Sequence, residues 1–217
     1  MWCIPKLTPE FKERMEDLLG LYEKPLDEKH PVVCLDEKSK QLIEDSRPMK
    51  PALPGKVAIR DYEYIRKGTR NIFVAVEPKG GRHFTKVTAR RTKKDYAEFL
   101  SELTQAYQEA EVLHIVQDNL NTHSEKSLLL AFGKRRTKQM MKRIKFHFTP
   151  KHASWLNMAE IEIGIVSRQC LKGRIPSEEK MKREVSAWTA CRNKRGSLIK
   201  WGFSTDEAKI SFPTLYV

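Results

Sequence analysis

The chain has 217 residues, of which 40% are hydrophobic and 32% charged, a composition typical of one large globular domain. No apolar run approaches the roughly 20 residues needed to cross a bilayer, and the first residues lack the apolar segment of a signal peptide, so we expect neither a membrane-spanning nor a secreted protein. The 41 Lys and Arg residues against 28 Asp and Glu give a formal charge of +13, which favours a polyanionic partner such as nucleic acid, although a solvated basic surface would carry the same charge.

Residues 1–30 are predicted to form an N-terminal lead-in, and residues 31–217 the main domain with C-terminal helices. Thr8 and Pro9 can start a helix, and apolar residues recur at helical spacing to about Lys24. Residues 32–35 predict a short strand that ends at Asp36. The proline-punctuated residues 40–62 predict an irregular loop.

The rest of the chain alternates strand and helix patterns. We expect strands at 71–76, 83–88, 112–117 and 144–149, and helices at 93–109, 124–132, 135–142, 155–171 and 177–193. The strand at 32–35 and those at 71–76 and 83–88 suit an antiparallel meander. This order predicts an α/β fold with a mixed five-stranded sheet and helices on both faces. The four cysteines are too scattered for a disulfide framework or a zinc site, which favours a reducing cytoplasm: Cys3, Cys34, Cys170 and Cys191.

Two aspartates follow short apolar strands. Asp36 and Asp118 would emerge side by side if their strands were parallel neighbours, at the sheet edge where α/β proteins bind ligands. Two bare carboxylates repel each other unless a cation lies between them, and Mg²⁺ prefers such oxygen ligands. An isolated aspartate of this kind can also simply start a turn.

The segment TPKHASWLNMAEIEIG offers a third carboxylate. On a helical wheel, Glu160 lies in a polar strip with Asn157, Gly164, Ser167 and Arg168, whereas Glu162 lies about 200° away, so one metal site cannot use both acids. We expect Asn157 and Arg168 to contact substrate, although the wheel by itself favours an ordinary solvent-facing Glu160.

The histidines are less informative. His123 follows Asp118 by five positions and could touch a phosphate or hold the next helix in place, and His147 and His152 flank the loop before Glu160 as structural residues or phosphate contacts. No GxSxG motif accompanies Ser154, which argues against a serine hydrolase.

Five motifs resemble those of the IS630 family of transposases, within the Tc1/mariner group. They are VVCLDEKSKQLIEDSRP, DYEYIRKGTRNIFVAVEP, VQDNLNTH, FHFTPKHASWLNMAEIEI and SRQCLKGRIP, and they cover nearly the whole chain. The resemblance implies an RNase H-like fold and a catalytic, metal-binding triad of Asp36, Asp118 and Glu160. It also implies Mg²⁺, with Mn²⁺ as a substitute, at two ions per site.

The resemblance implies a reaction as well. Asp36 would bridge the two metals, while Asp118 and Glu160 would each bind one of them, and Asn119, Asn121 and His123 would position a phosphate or the attacking water. Water would cleave the transposon end, and the freed 3′-hydroxyl would attack double-stranded target DNA at TA.

One feature of the family is missing from the sequence. No helix-turn-helix region precedes residue 1, so we expect a catalytic half, either a truncated copy or one part of a split transposase with a separate N-terminal helix-turn-helix half. We expect it to act as a homodimer on DNA in the cytoplasm near the nucleoid. Another RNase H-like nuclease, a truncated DNA-binding remnant and a basic scaffold protein remain alternatives.

Overall fold

The computed structural model describes residues 7–216 and contains one five-stranded sheet with the spatial order β3–β2–β1–β4–β5. Residues 1–6 of the predicted lead-in, including Cys3, lie outside the described range. The strands are β1 (Val32–Asp45), β2 (Tyr64–Glu77), β3 (Arg82–Thr88), β4 (Leu113–Gln117) and β5 (Ile144–Phe148). The helices are α1 (Pro9–Glu23), α2 (Lys93–Ala106), α3 (Glu125–Met141), α4 (Ala159–Gln169), α5 (Glu178–Arg195) and α6 (Thr205–Ser211).

The sheet is mixed because its two halves are connected differently. Strands β1, β2 and β3 form the predicted antiparallel meander, whereas β4 runs parallel to β1 and β5 runs parallel to β4. The parallel neighbours reach each other through the crossover helices α2 and α3, as such connections require. The central position of β1 and β4 explains their apolar sequences, since both faces of these strands are covered.

Helices cover both faces of the sheet, as predicted. Val33 and Leu35 of β1 pack with α2 and α3 on one face, while Cys34 packs with α1, α4 and α6 on the other. Helix α5 completes the second face by packing, together with α4, against Ile72 and Val74 of β2. No helix in residues 7–216 is long and apolar enough to span a membrane.

Strand β1 differs from its prediction. It continues to Asp45, so Asp36 lies inside the strand and not at its end, and the irregular segment is shorter than the predicted 40–62. Beyond the stretch shared with β4, β1 pairs with β2 alone, out to Asp45 opposite Tyr64. In this hairpin arm, β2 is exposed from Tyr64 to Thr69 and β1 is mostly half-buried, with Leu42 alone fully buried against α4 and α5, so the arm's sequence shows no regular apolar alternation.

Helix α3 contains the break that the sequence predicted between helices at 124–132 and 135–142, because Gly133, with φ of 73°, interrupts the helical backbone. Two other helix predictions change. Helix α4 begins at Ala159, after a 3₁₀ turn over Ser154–Leu156. Helix α6 was missed, although Ser204 and Glu207 form a capping box that the sequence displays.

Helix α1 packs directly on the sheet. Its apolar stripe lies in one cluster with Cys34, Val76 and Val116 of the strands and Leu156 before α4, and the Tyr22 hydroxyl donates to the Leu156 carbonyl at 2.8 Å. The domain boundary at residue 30 stays a prediction, with α1 contributing to the same core as the residues that follow it.

Candidate active site

Asp36 and Asp118 lie on neighbouring parallel strands at the same height in the sheet. The register pairs Cys34 with Val116. Asp36 and Asp118 each follow two residues later, so both lie at the carboxyl edge of β4. Asp118 directly follows β4, as predicted, and both residues are partly exposed.

The 3₁₀ turn before α4 places Glu160 beside this edge. The Asn157 side chain donates to the Leu35 carbonyl at 2.9 Å, and its oxygen accepts from the Ala159 backbone N–H at 3.1 Å. Asn157 thereby ties the start of α4 to the residue before Asp36. Glu160 then lies in the exposed first turn of α4.

The acids interact through space. The pKa of Asp36 is raised to about 7, chiefly by burial and also by the negative charges of Glu160, Glu37 and Asp118, against the lowering effect of a hydrogen bond from the Glu37 backbone. No Lys, Arg or His of the described chain lies within ion-pair distance of Asp36 or Glu160. The Asp36 carboxyl therefore lies in an uncompensated negative field.

A divalent cation suits this field. Hard oxygen ligands are what Mg²⁺ and Mn²⁺ prefer, and a cation would relieve the repulsion that raises the Asp36 pKa. Within residues 7–216, however, no three His, Cys, Asp or Glu side chains are grouped closely enough to hold a metal ion as they stand. The carboxylate oxygens of Asp36, Asp118 and Glu160 are thus suitable ligands for a divalent metal. To bind one ion, these carboxylates must move closer to one another.

Asp118 is engaged with His123. Nδ1 of His123 lies 2.6 Å from Oδ1 of Asp118, and its Nε2 lies 3.0 Å from Oε2 of Glu37. Burial lowers the pKa of His123, but the two carboxylates outweigh this and raise it to about 9. A protonated His123 therefore compensates Asp118 and the buried Glu37 together.

The contacts of His123 and Asn157 do not support the substrate-binding role predicted for them. Both side chains are buried, with exposed fractions of 1%, and their polar atoms face the protein. Glu37, missed by the sequence reasoning, explains why His123 is buried. The signal was present, because Glu37 is a second acid directly after Asp36 in a strand, and alternation places it on the opposite face.

Asn119, Asn121 and Arg168 are exposed, which leaves them accessible to a ligand. Arg168 lies over the same face of α4 as Glu160: a Cβ added at Gly164 would lie 3.3 Å from its guanidinium. Gly164 therefore makes room for Arg168.

Glu162 points away from this site. It is fully buried, forms an ion pair with Arg192 of α5 and lies 3.5 Å from Nε2 of His83 on β3. Burial raises its pKa, but the hydrogen bonds and charges of His83 and Arg192 outweigh this and the net pKa is lowered.

A protein-family model described as "DDE superfamily endonuclease" matches residues 31–182, well over half of the chain. The chain belongs to this family. The match includes Asp36, Asp118 and Glu160, and within the DDE superfamily the chain is consistent with the IS630 resemblance. A search of curated protein sequences finds no match.

Solved structures of the Mos1 mariner transposase share the fold of this DDE domain. A paired-end complex with the left transposon end has a TM-score of 0.59 at 17% identity and covers 91% of this chain and 61% of its own. A paired-end complex with Mn has a TM-score of 0.58 at 19% identity, covering 89% and 59%. The strand transfer complex has a TM-score of 0.57 at 18% identity, covering 88% and 57%. The likeness establishes the RNase H-like fold, and the chain spans about three fifths of the length of these transposases.

Proposed function

We propose that this DDE domain is the catalytic domain of a transposase, which cleaves DNA at transposon ends and joins those ends to target DNA. The observation that carries the proposal is the convergence of acids at Asp36, which has no cationic partner and whose pKa is raised in part by the charges of Glu160 and Asp118 from two other chain segments. The family match and the fold shared with Mos1 transposase complexes support the same function.

Asp36, Asp118 and Glu160 are the residues that would hold two Mg²⁺ ions, with Mn²⁺ as a substitute. When bound, such ions supply activation of the nucleophile and stabilisation of charge on the attacking and leaving oxygens. Asp36 orients its carboxyl through the backbone of Glu37, and His123 fixes Asp118. Asn119, Asn121 and Arg168 are exposed and would contact the phosphates.

The chemistry consists of two displacements at phosphorus. In the first, water attacks the phosphodiester, the bond to the 3′ oxygen breaks, and a 3′-hydroxyl and a 5′-phosphate result. In the second, that 3′-hydroxyl attacks a target phosphodiester and displaces another 3′ oxygen. Each displacement releases one proton and takes one up, so no oxidant or co-reactant is needed.

Several finer points belong to the same proposal. The substrate would be double-stranded DNA, with a TA target, and the working unit would be a homodimer with a separate helix-turn-helix half that recognises the element ends. The site of action would be the cytoplasm, at the nucleoid.

Plasmid nicking with Mg²⁺ or Mn²⁺ tests the reaction, and strand transfer of linear ends tests the transposase assignment. We expect cleavage by the wild-type chain and none by Asp36→Asn, Asp118→Asn or Glu160→Gln, with Asp206→Asn on the exposed surface of α6 as the matched control. Cleavage retained by Asp36→Asn would remove that residue from the mechanism. Cleavage without strand transfer would favour another nuclease of this fold, and metal-independent DNA binding without cleavage would favour a DNA-binding remnant.

A further inference from the structure

A groove of about 1100 Å³ opens beside the acids. Its walls are the beginning of α1, the segment 118–120 after β4 and the loop 149–154 after β5, so Asp118 is itself a lining residue. Its volume exceeds the roughly 300–1,000 Å³ of a small-molecule pocket, and most of its lining residues are exposed, so the groove suits an extended chain better than a compact ligand.

The groove that Asp118 lines also carries side chains able to contact a phosphate. Arg14 forms an ion pair with Glu10 at 2.7 Å and places its other nitrogen 3.4 Å from the Thr149 carbonyl, which links α1 to the loop and neutralises Glu10. Lys151 and His152 are exposed on the loop, and neither has a carboxylate within ion-pair distance in the described part of the chain. The groove therefore holds one unpaired lysine and one exposed histidine in the same lining as Asp118.

The loop 149–154 contains a residue with a strained backbone conformation. His152 has φ of 62° and is the sole non-glycine residue of segment 7–216 in the left-handed region. Both ends of the loop are fixed, since the Thr149 N–H donates to the Gln117 carbonyl at 3.0 Å and the Ala153 N–H donates to the Pro150 carbonyl at 3.1 Å. Strain at a non-glycine residue persists where surrounding structure imposes it, often at ligand-binding sites.

We infer that this groove binds the phosphodiester backbone of a DNA strand leading to Asp118, with Lys151 and His152 contacting its phosphates. The inference rests on the proposed function, because it takes DNA as the substrate. It assigns the loop 149–154 a binding role that is separate from holding metal, and Arg14 a role in positioning the loop.

Binding of a fluorescein-labelled 30-base-pair duplex, measured by anisotropy in EDTA, tests the groove without catalysis. One lost phosphate contact removes about 0.9 from the slope of log affinity against log salt, which corresponds to about eightfold weaker binding at 0.1 M salt. We expect this change for Lys151→Ala. The matched control is Lys194→Ala, an exposed lysine at the end of α5, against the opposite edge of the sheet, which should bind as the wild type does.

His152→Gly separates binding from folding. Glycine adopts the left-handed backbone without strain, so the melting temperature should stay unchanged or rise while DNA affinity falls. A scan of duplexes with single neutral methylphosphonates provides a further check. The methylphosphonate position that weakens DNA binding by the wild-type chain should leave DNA binding by Lys151→Ala unchanged.

The inference is overturned if Lys151→Ala and Lys194→Ala lose affinity equally, if neither changes, or if the wild-type chain shows no salt-dependent DNA binding. Failure of the proposed function looks different. A wild-type chain that binds DNA through Lys151 but cleaves nothing in Mg²⁺ or Mn²⁺ would leave the groove supported and the catalytic assignment refuted.

Discussion

Glu160 and Glu162 lie two residues apart on α4 and have opposite surroundings. Glu160 is exposed and adds its charge to the field around Asp36, whereas Glu162 is fully buried between His83 and Arg192. The second cluster is electrically compensated and joins α4 to β3 and α5. In the first cluster, Asp36 and Glu160 have no cationic partner, and a bound cation would relieve their repulsion, which supports the proposal that this cluster is the functional one.

The largest expected contrast is in activity. Asp36→Asn removes the central carboxylate of the first cluster, so DNA cleavage should fall below detection while the fold is retained, because a repulsive charge is lost. Nicking assays with circular dichroism on the same samples check both results. A variant that cleaves DNA, or one that is unfolded, would contradict the contrast.

The compensated cluster should respond in stability. Glu162→Gln leaves the mostly buried Arg192 without its counter-ion, and breaking a buried pair in this way costs about 3–5 kcal/mol. Urea unfolding measures the effect, and Glu160→Gln on the exposed face serves as the control, with an expected change within about 0.5 kcal/mol. Equal losses for the two variants would show that the clusters do not differ as described.

The pH dependence of stability sharpens the comparison. Because the pKa of Asp36 is raised to about 7, this carboxyl binds more protons in the folded than in the unfolded state between about pH 4 and pH 7. The contribution of Asp36 to stability should therefore fall as pH rises through this window. Without metal, Asp36→Asn should be as stable as the wild type near pH 4 and about 2 kcal/mol more stable at pH 8, after a discount for partial exposure.

Thermal melts in EDTA across this pH range test that dependence. Added Mg²⁺ should raise the wild-type melting temperature at pH 8 and leave the Asp36→Asn variant nearly unchanged. A constant difference between the two proteins at every pH would exclude Asp36 as the source.

His123 combines features of the two clusters, because it is an ion-pair partner within the cluster around Asp36, where it compensates Asp118. His123→Gln keeps a polar side chain but removes the charge between Asp118 and Glu37, and loss of such an orienting partner typically lowers metal affinity or activity about 10- to 100-fold. Cleavage measured against Mg²⁺ concentration should show a raised metal requirement. An unchanged requirement would leave His123 with a structural role alone.

Local sequence patterns predicted much of this molecule. The capping residues and apolar spacing of α1 and α2, the meander and the strand before Asp118 all follow from short-range preferences, and the helical repeat alone separates Glu160 from Glu162 by about 200°. The order of the predicted strands and helices indicated the mixed sheet with helices on both faces, and the resemblance implied that this fold is RNase H-like.

Tertiary structure decided the rest, because the partners are distant in the chain. The arm of β1 is a strand only through pairing with β2, and no apolar period reveals it. From the sequence, His123 and Asn157 are candidate ligand contacts. In the structure, their partners are Glu37 and the Leu35 carbonyl, which are 86 and 122 residues away in the chain, respectively. Local sequence determines which residues can be charged or buried, and the packing of remote segments determines which charges are left uncompensated.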